Sequence, residues 1–207
     1  MKHIHLIILL TLAFLSEAEA KKVKGRIIFK NDTLEVTFNL KSTIWGKIDY
    51  EKVQYQVKYY DTNGKKIKLL PDDALEIQFY NSGQEFRMLS RHNSLNDGRV
   101  FSKSKSIFLA LEKDGELKLF RYYYSQASPG MYNGATGTFQ ATNFYTVDKY
   151  ILQKGNGELK RPKDLNFKKD MASYFSDCPA LSEKILSKSF IKNDLEFIVA
   201  YYNSNCN

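Results

Sequence analysis

The residues able to do chemistry are few and far apart. Past the two histidines of the first five residues, the chain of 207 has one more, His92, set in the polar stretch RHNSLNDG. A histidine base needs a nucleophile beside it and an acid to orient it, and the G-x-S-x-G context of a strand-to-helix nucleophile turn is missing. Glycoside hydrolysis asks only for two carboxylates at a set separation. Asp72-Asp73 is available, but adjacent acids after Pro71 read as turn and capping residues. There is no phosphate loop, no dinucleotide fingerprint and no H-E-x-x-H. Neither a catalytic group nor a cofactor is expected, and an enzyme ranks behind a binding protein or a carrier domain.

Two other sets of residues have chemical potential. The only cysteines are Cys178 and Cys206. They lack the C-x-x-C spacing of a redox pair, and with a single distant histidine they cannot supply a four-ligand zinc site, so no metal is expected. A disulfide or two buried thiols remain. The second set is aromatic. Arg121-Tyr122-Tyr123-Tyr124 leads into SQASPGMYNGATGTFQATN (125–143), which is small, polar, rich in glycine and without clear periodicity. A loop that long in a compact domain is usually functional or disordered. Rings beside it offer large contact area at little entropic cost. Arg121, Tyr122, Tyr124, Met131, Tyr132 and Phe139 are therefore the candidate binding surface. The competing reading is a plain strand connection with tyrosines in the sheet.

The elements that must carry these residues follow from periodicity. LEVTFNL (34–40), VQYQVKY (53–59) and LEIQF (75–79) alternate apolar and polar residues, the habit of antiparallel strands with one buried face. Asn31-Asp32, Asp61 to Gly64, Lys113-Asp114-Gly115 and Gly155-Asn156-Gly157 supply turn chemistry between the runs. The spacing predicts roughly nine or ten strands between Gly25 and Lys160, with a meander as the simplest order. A second irregular stretch, SRHNSLNDG (90–98), reads as a plainer loop. The inward sets are bulky, which favours a filled core over a ligand-holding barrel.

After Pro162 the period becomes helical. Phe167, Met171 and Phe175 form one stripe; Cys178, Leu181 and Ile185 a second; Leu195, Val199, Tyr202 and Cys206 a third, with Ile198 beside it. Asp177 stands at an N-cap position ahead of Pro179, and Asn193 or Asp194 caps the last helix. If the last two helices fold back antiparallel, the cysteines meet at their open end. A bond there closes a loop of about 29 residues, worth roughly 3–4 kcal/mol in the chain-entropy model.

The N-terminus, MKHIHLIILLTLAFLSEAEA, has a short polar start, an apolar run from Leu6 to Leu15 and a small-x-small site at Ala18-Glu19-Ala20. The order is that of an export signal, and the apolar run is too short to span a bilayer. Residues 1–20 are read as the signal, 21–161 as a β domain and 162–207 as a helical segment packed on it. Removing the signal raises the formal charge from +8 to +9. A basic exported protein could meet anionic lipid, acidic glycan or a wall polymer. The lysines are interspersed with acids along the chain, however, so a solvated basic surface is the plain expectation. Export makes nucleic acid a poor partner and an oxidised cysteine pair the expected state.

The tail carries a resemblance. Tyr174-Phe175-Ser176-Asp177-Cys178-Pro179 with Leu181, followed by Tyr202-Asn203 ahead of Cys206, resembles the "F-x-D-C-P-x-L … Y-N-x-x-C" pattern of exported Bacteroidetes proteins of unknown function. GRIIFKNDTLEV is similar to their opening strand pair. Gly64 through Leu70-Pro71-Asp72-Asp73 to Phe79 is similar to a "G…P-x-D-I-x-x-F" element, with Ala74-Leu75 where the pattern has isoleucine. The resemblance implies a bacterial envelope or secreted protein, mostly β, with a paired-cysteine helical end, and brings no catalytic residue. The sequence as a whole points to an α+β, mainly β protein: an antiparallel meander, as an open barrel or curved sheet, followed by two to three helices. Its expected role is binding an envelope protein or glycan without crossing the membrane.

Overall fold

A computed structural model describes residues 20–206 apart from 44–45, 96–103, 129 and 141–142. The export segment therefore lies outside the described residues except for Ala20, and so does the end of the 90–98 stretch. The architecture is mainly β: one open antiparallel sheet of nine strands, followed by helices.

Two meanders build the sheet. The first is β1 (Lys21–Ile28), β2 (Thr33–Leu40), β3 (Val57–Tyr60) and β4 (Lys66–Leu69). The second is β5 (Glu76–Asn81), β6 (Gln84–His92), β7 (Ser106–Lys113) and β8 (Leu117–Ser128), closed by β11 (Asn143–Lys154). They join through β1 and β5, so the order is β11-β8-β7-β6-β5-β1-β2-β3-β4 rather than one simple meander. In a flat sheet β4 and β5 would stand four strand spacings, roughly 19 Å, apart. The linking residues 70–75 contain a 3-10 turn, Pro71–Asp73, that shortens their reach. The sheet therefore curls. Inside the curl Phe38, Ile27, Ile77, Phe79, Met88 and Phe108 form a filled core with none of these side chains exposed. Gly25 sits where β1 crosses Phe38 and β5; a Cβ there would overlap the Gln78 carbonyl.

One expected strand starts late. Val53 to Gln56 do not extend β3. Asp49 accepts a hydrogen bond from the Lys52 amide at 3.2 Å and starts a single helical turn, α1 (Tyr50–Val53). The alternation of 53–59 is real only from Val57, because Gln54 is drawn into a different interaction described below. The 125–143 stretch also differs from expectation. It is not an irregular loop: β8 runs to Ser128, a hairpin of β9 (Met131–Asn133) and β10 (Thr138–Gln140) follows, and β11 returns. Asn133 makes the turn, its side chain accepting from the Ala135 amide at 3.0 Å, and Gly137 takes positive φ, +62°.

The helices α2 (Phe167–Tyr174), α3 (Pro179–Leu186) and α4 (Leu195–Asn205) pack their three stripes against Leu117 and Leu119 of β8 and Leu152 of β11. Asp177 is not the N-cap of α3; Cys178 holds that position, and the carboxylate of Asp177 turns toward α4 instead. The sulfurs of Cys178 and Cys206 lie at bonding distance, 2.01 Å, with their Cα atoms 5.4 Å apart. No helix among the described residues is long and apolar enough to cross a membrane.

Candidate functional site

Strand β8 organises the region that the aromatic residues occupy. Its β11 side is paired along its whole length, from Leu117↔Lys154 to Ser128↔Asn143. Its β7 side is paired only from Leu119 to Arg121, across a bulge between Leu111 and Lys113. Unpaired backbone groups in a buried setting cost about 1–3 kcal/mol each, and two side-chain amides take them up. Gln54, fully buried after α1, accepts from the Tyr123 amide at 2.7 Å and donates to the Tyr123 carbonyl at 2.8 Å. Its own carbonyl accepts from the Phe108 amide at 2.9 Å, so it wedges between β7 and β8. At the other end Asn203 of α4 accepts from the Leu117 amide at 2.8 Å and donates to the Leu117 carbonyl at 2.9 Å. Gly115 allows that approach; a Cβ there would collide with the Asn203 amide.

The six candidate surface residues separate into two groups. Arg121 is consumed at the root of the strand. Its guanidinium donates to Glu112 at 2.8 Å, Asp148 at 2.9 Å and the Tyr150 hydroxyl at 3.2 Å. Burial alone would lower its pKa, but Glu112 and its neighbours outweigh that and raise it, so the charge is fixed. Tyr122 does not belong to a surface. It is buried, its hydroxyl 2.6 Å from that of Tyr55 and its ring stacked on half-buried Tyr124. The reason is parity: Tyr122, with Phe120, points to the face that Leu159 and Ile107 cover. Tyr123, on the other face, stacks on Tyr50 of α1 with centroids 5.0 Å apart.

Tyr132 and Phe139 do come together. They are direct cross-strand partners in the β9–β10 hairpin, where Met131 pairs with Gln140, and each ring is 68% exposed. Paired rings gain from each other when buried; these two face water at the end of an arm. Sequence reasoning selected both residues but not their pairing, because glycines and small polar residues hide the hairpin's period.

Among the catalytic candidates, Asp73 has a structural task. The Asp73 carboxylate accepts from the Leu70 amide at 2.8 Å and closes the 3-10 turn. His92 shares a recess with Ser90 and Glu158, the residue types of a hydrolytic triad. The Ser90 hydroxyl, however, donates to the Pro71 carbonyl at 2.6 Å. Comparison of the chain with protein-family models, with curated proteins and with solved structures found no match in any of the three.

Proposed function

We propose that this is an exported, non-enzymatic binding protein of the bacterial cell envelope, whose contact device is the hairpin arm of β8–β11. The observation that carries the reading is the Tyr132–Phe139 pair, two large rings on directly paired residues of the β9–β10 hairpin, left to solvent beyond the twelve-residue strands β8 and β11. Exposed aromatic area of this kind is what an interface centre uses. The half of β8 nearest the core is pinned by Gln54, so the arm has a firm root. The cysteine pair and the signal-like first 20 residues support an oxidising destination. The other role considered, a barrel carrying a small ligand, has less support, since the sheet is open and Phe38, Phe79 and Phe108 fill its concave side.

The test is a cross-linked affinity capture from the native envelope fraction with the unaltered protein and with a Tyr132→Ser/Phe139→Ser variant in parallel. A partner retained by the first and lost by the second, with both proteins melting alike, supports the arm. A partner captured equally by both removes it. Mass spectrometry of the exported protein should find Lys21 at its N-terminus; an intact residue 1 would overturn the export reading.

A further inference from the structure

Strand register sorts the lysines that the sequence scatters. Lys24, Thr37, Tyr60 and Lys66 form one cross-strand row over β1, β2, β3 and β4. Lys22 stands opposite Asn39, and Lys58 opposite Lys68. Directly paired residues point to the same side of a sheet. The alternate row of Val23, Phe38 and Tyr59 is buried, so Lys22, Lys24, Lys58, Lys66 and Lys68 share the outer face, all exposed. Among the described residues none of the five has a carboxylate within ion-pair distance. Lys58 facing Lys68 is a like-charge pair that costs stability. The Tyr60 ring lies between two ammonium groups, with Lys22 Nζ 5.3 Å and Lys66 Nζ 5.6 Å from its centre.

The face also has a hollow. β2 and β3 pair only at Thr37↔Tyr60 and Phe38↔Tyr59, and past these they part. A cavity of about 330 Å³ opens there, lined by Lys41, Lys52, Lys58 and Lys66 together with the amides of Asn39 and Gln56. No acidic side chain lines it. Lys52 is paired with Asp49; Lys41, Lys58 and Lys66 have no carboxylate partner among the described residues.

We propose that this face and its hollow bind an acidic polysaccharide, a chain of sugars bearing carboxylate or sulfate groups. The ammonium groups match the anions, the two amides match sugar hydroxyls, and Tyr60 offers a ring for the apolar side of a sugar. A bilayer is a poorer fit, because none of the exposed large apolar side chains lies on β1–β4 to enter it. A nucleic-acid strand would use a series of stacking rings, and this face has one.

The experiment measures binding to immobilised polygalacturonate (carboxylate) and heparin (sulfate), with dextran as the neutral control and phosphatidylglycerol vesicles and a single-stranded oligonucleotide as other polyanions. The full chain is compared with a Lys22→Gln/Lys24→Gln/Lys58→Gln/Lys66→Gln variant. A second variant removes the same charge from the helical segment: Lys163→Gln/Lys168→Gln/Lys169→Gln/Lys188→Gln. The expected result is salt-sensitive binding to at least one acidic polysaccharide and none to dextran. The face variant should weaken it about tenfold or more and the helical variant less than about twofold. Which polymer binds tells carboxylate from sulfate recognition. Equal weakening by both variants, preference for vesicles or oligonucleotide, or no binding would each overturn the proposal, the last leaving the lysines as guards of an edge strand. Should the face variant fail to fold, Lys66→Gln/Lys68→Gln on edge strand β4 makes the same comparison.

Discussion

The two ends of β8 are finished in different ways. At Leu117 the strand is closed by Asn203, and the helix bearing that asparagine is fastened three times more. Tyr202 donates to Asp177 at 2.6 Å, Cys206 meets Cys178, and Lys154 lies over the rings of Tyr174, Phe175 and Tyr202. At Tyr123 the strand is closed by Gln54, with Tyr50 of the same helical turn stacked on the Tyr123 ring and Glu51 accepting from the Ser125 hydroxyl, and beyond these contacts β8 runs with β11 into an arm whose rings face water. Both ends use one device, a side-chain carboxamide standing in for a missing strand. What differs is how much else depends on it. The start of β8 is closed several times over, and the far end leads to two rings left to solvent.

The largest effect that tests this contrast is removal of the staple. Cys178→Ser/Cys206→Ser should cost roughly 3–4 kcal/mol and lower the melting temperature by about ten degrees. Thermal melts with and without reductant check it, and a variant melting like the native protein would break the comparison. Next comes Gln54→Ala, which strands the buried Tyr123 amide and carbonyl and should cost about 2–3 kcal/mol. Asn203→Ala, at a part-exposed site with other fastenings beside it, should cost less, about 1–2 kcal/mol. Denaturant titration of the two variants side by side gives the order; the reverse order would mean that the far end is the better fixed.

A smaller effect belongs to pH. Burial would raise the Asp177 carboxyl, but hydrogen bonds from Lys154 and Tyr202 outweigh it and hold the group below its usual 3.8. A depressed folded value contributes stability above the unfolded value, and that contribution is lost as pH falls through the folded one. Acid melts should therefore show the native protein losing this part only below the ordinary carboxylate range. Tyr202→Phe should move the loss upward, by a modest amount because Asp177 is half exposed. The smallest effect is expected at the arm. Tyr132→Ser/Phe139→Ser should change stability by less than about 0.5 kcal/mol; a large drop in the melt would mean that the rings hold the fold together.

Much of the fold was legible wherever one face of an element is buried. The alternation of Leu34 to Leu40 became β2, the stripe of Phe167, Met171 and Phe175 became the buried side of α2 and its end, and the two cysteines met as their helical phase required. What stayed hidden depends on partners remote in the chain. Nothing local marks Gln54 as the neighbour of Tyr123, or Asn203 as the neighbour of Leu117, and both look like ordinary polar residues. The same holds for the basic face. Lys22 and Lys66 flank one tyrosine only because four strands bring them to neighbouring rows of one face, and β4 pairs with β3 alone. Tyr122 was misplaced for a simpler reason: in a run of three tyrosines, side-chain parity alone does not say which face is covered.

The carboxamide closures also set an order of events. The β8–β11 hairpin draws on neighbouring sequence, whereas the other edge of β8 waits for Gln54 from 69 positions upstream and Asn203 from 86 positions downstream. Contacts so distant form late, after the entropy of closing long loops has been met. Between those moments β8 offers two short lengths of open strand edge, a template for pairing with the wrong chain. The interval is shortest when α1 and α4 arrive quickly, so slow cysteine pairing in the tail would lengthen the time in which assembly can go astray.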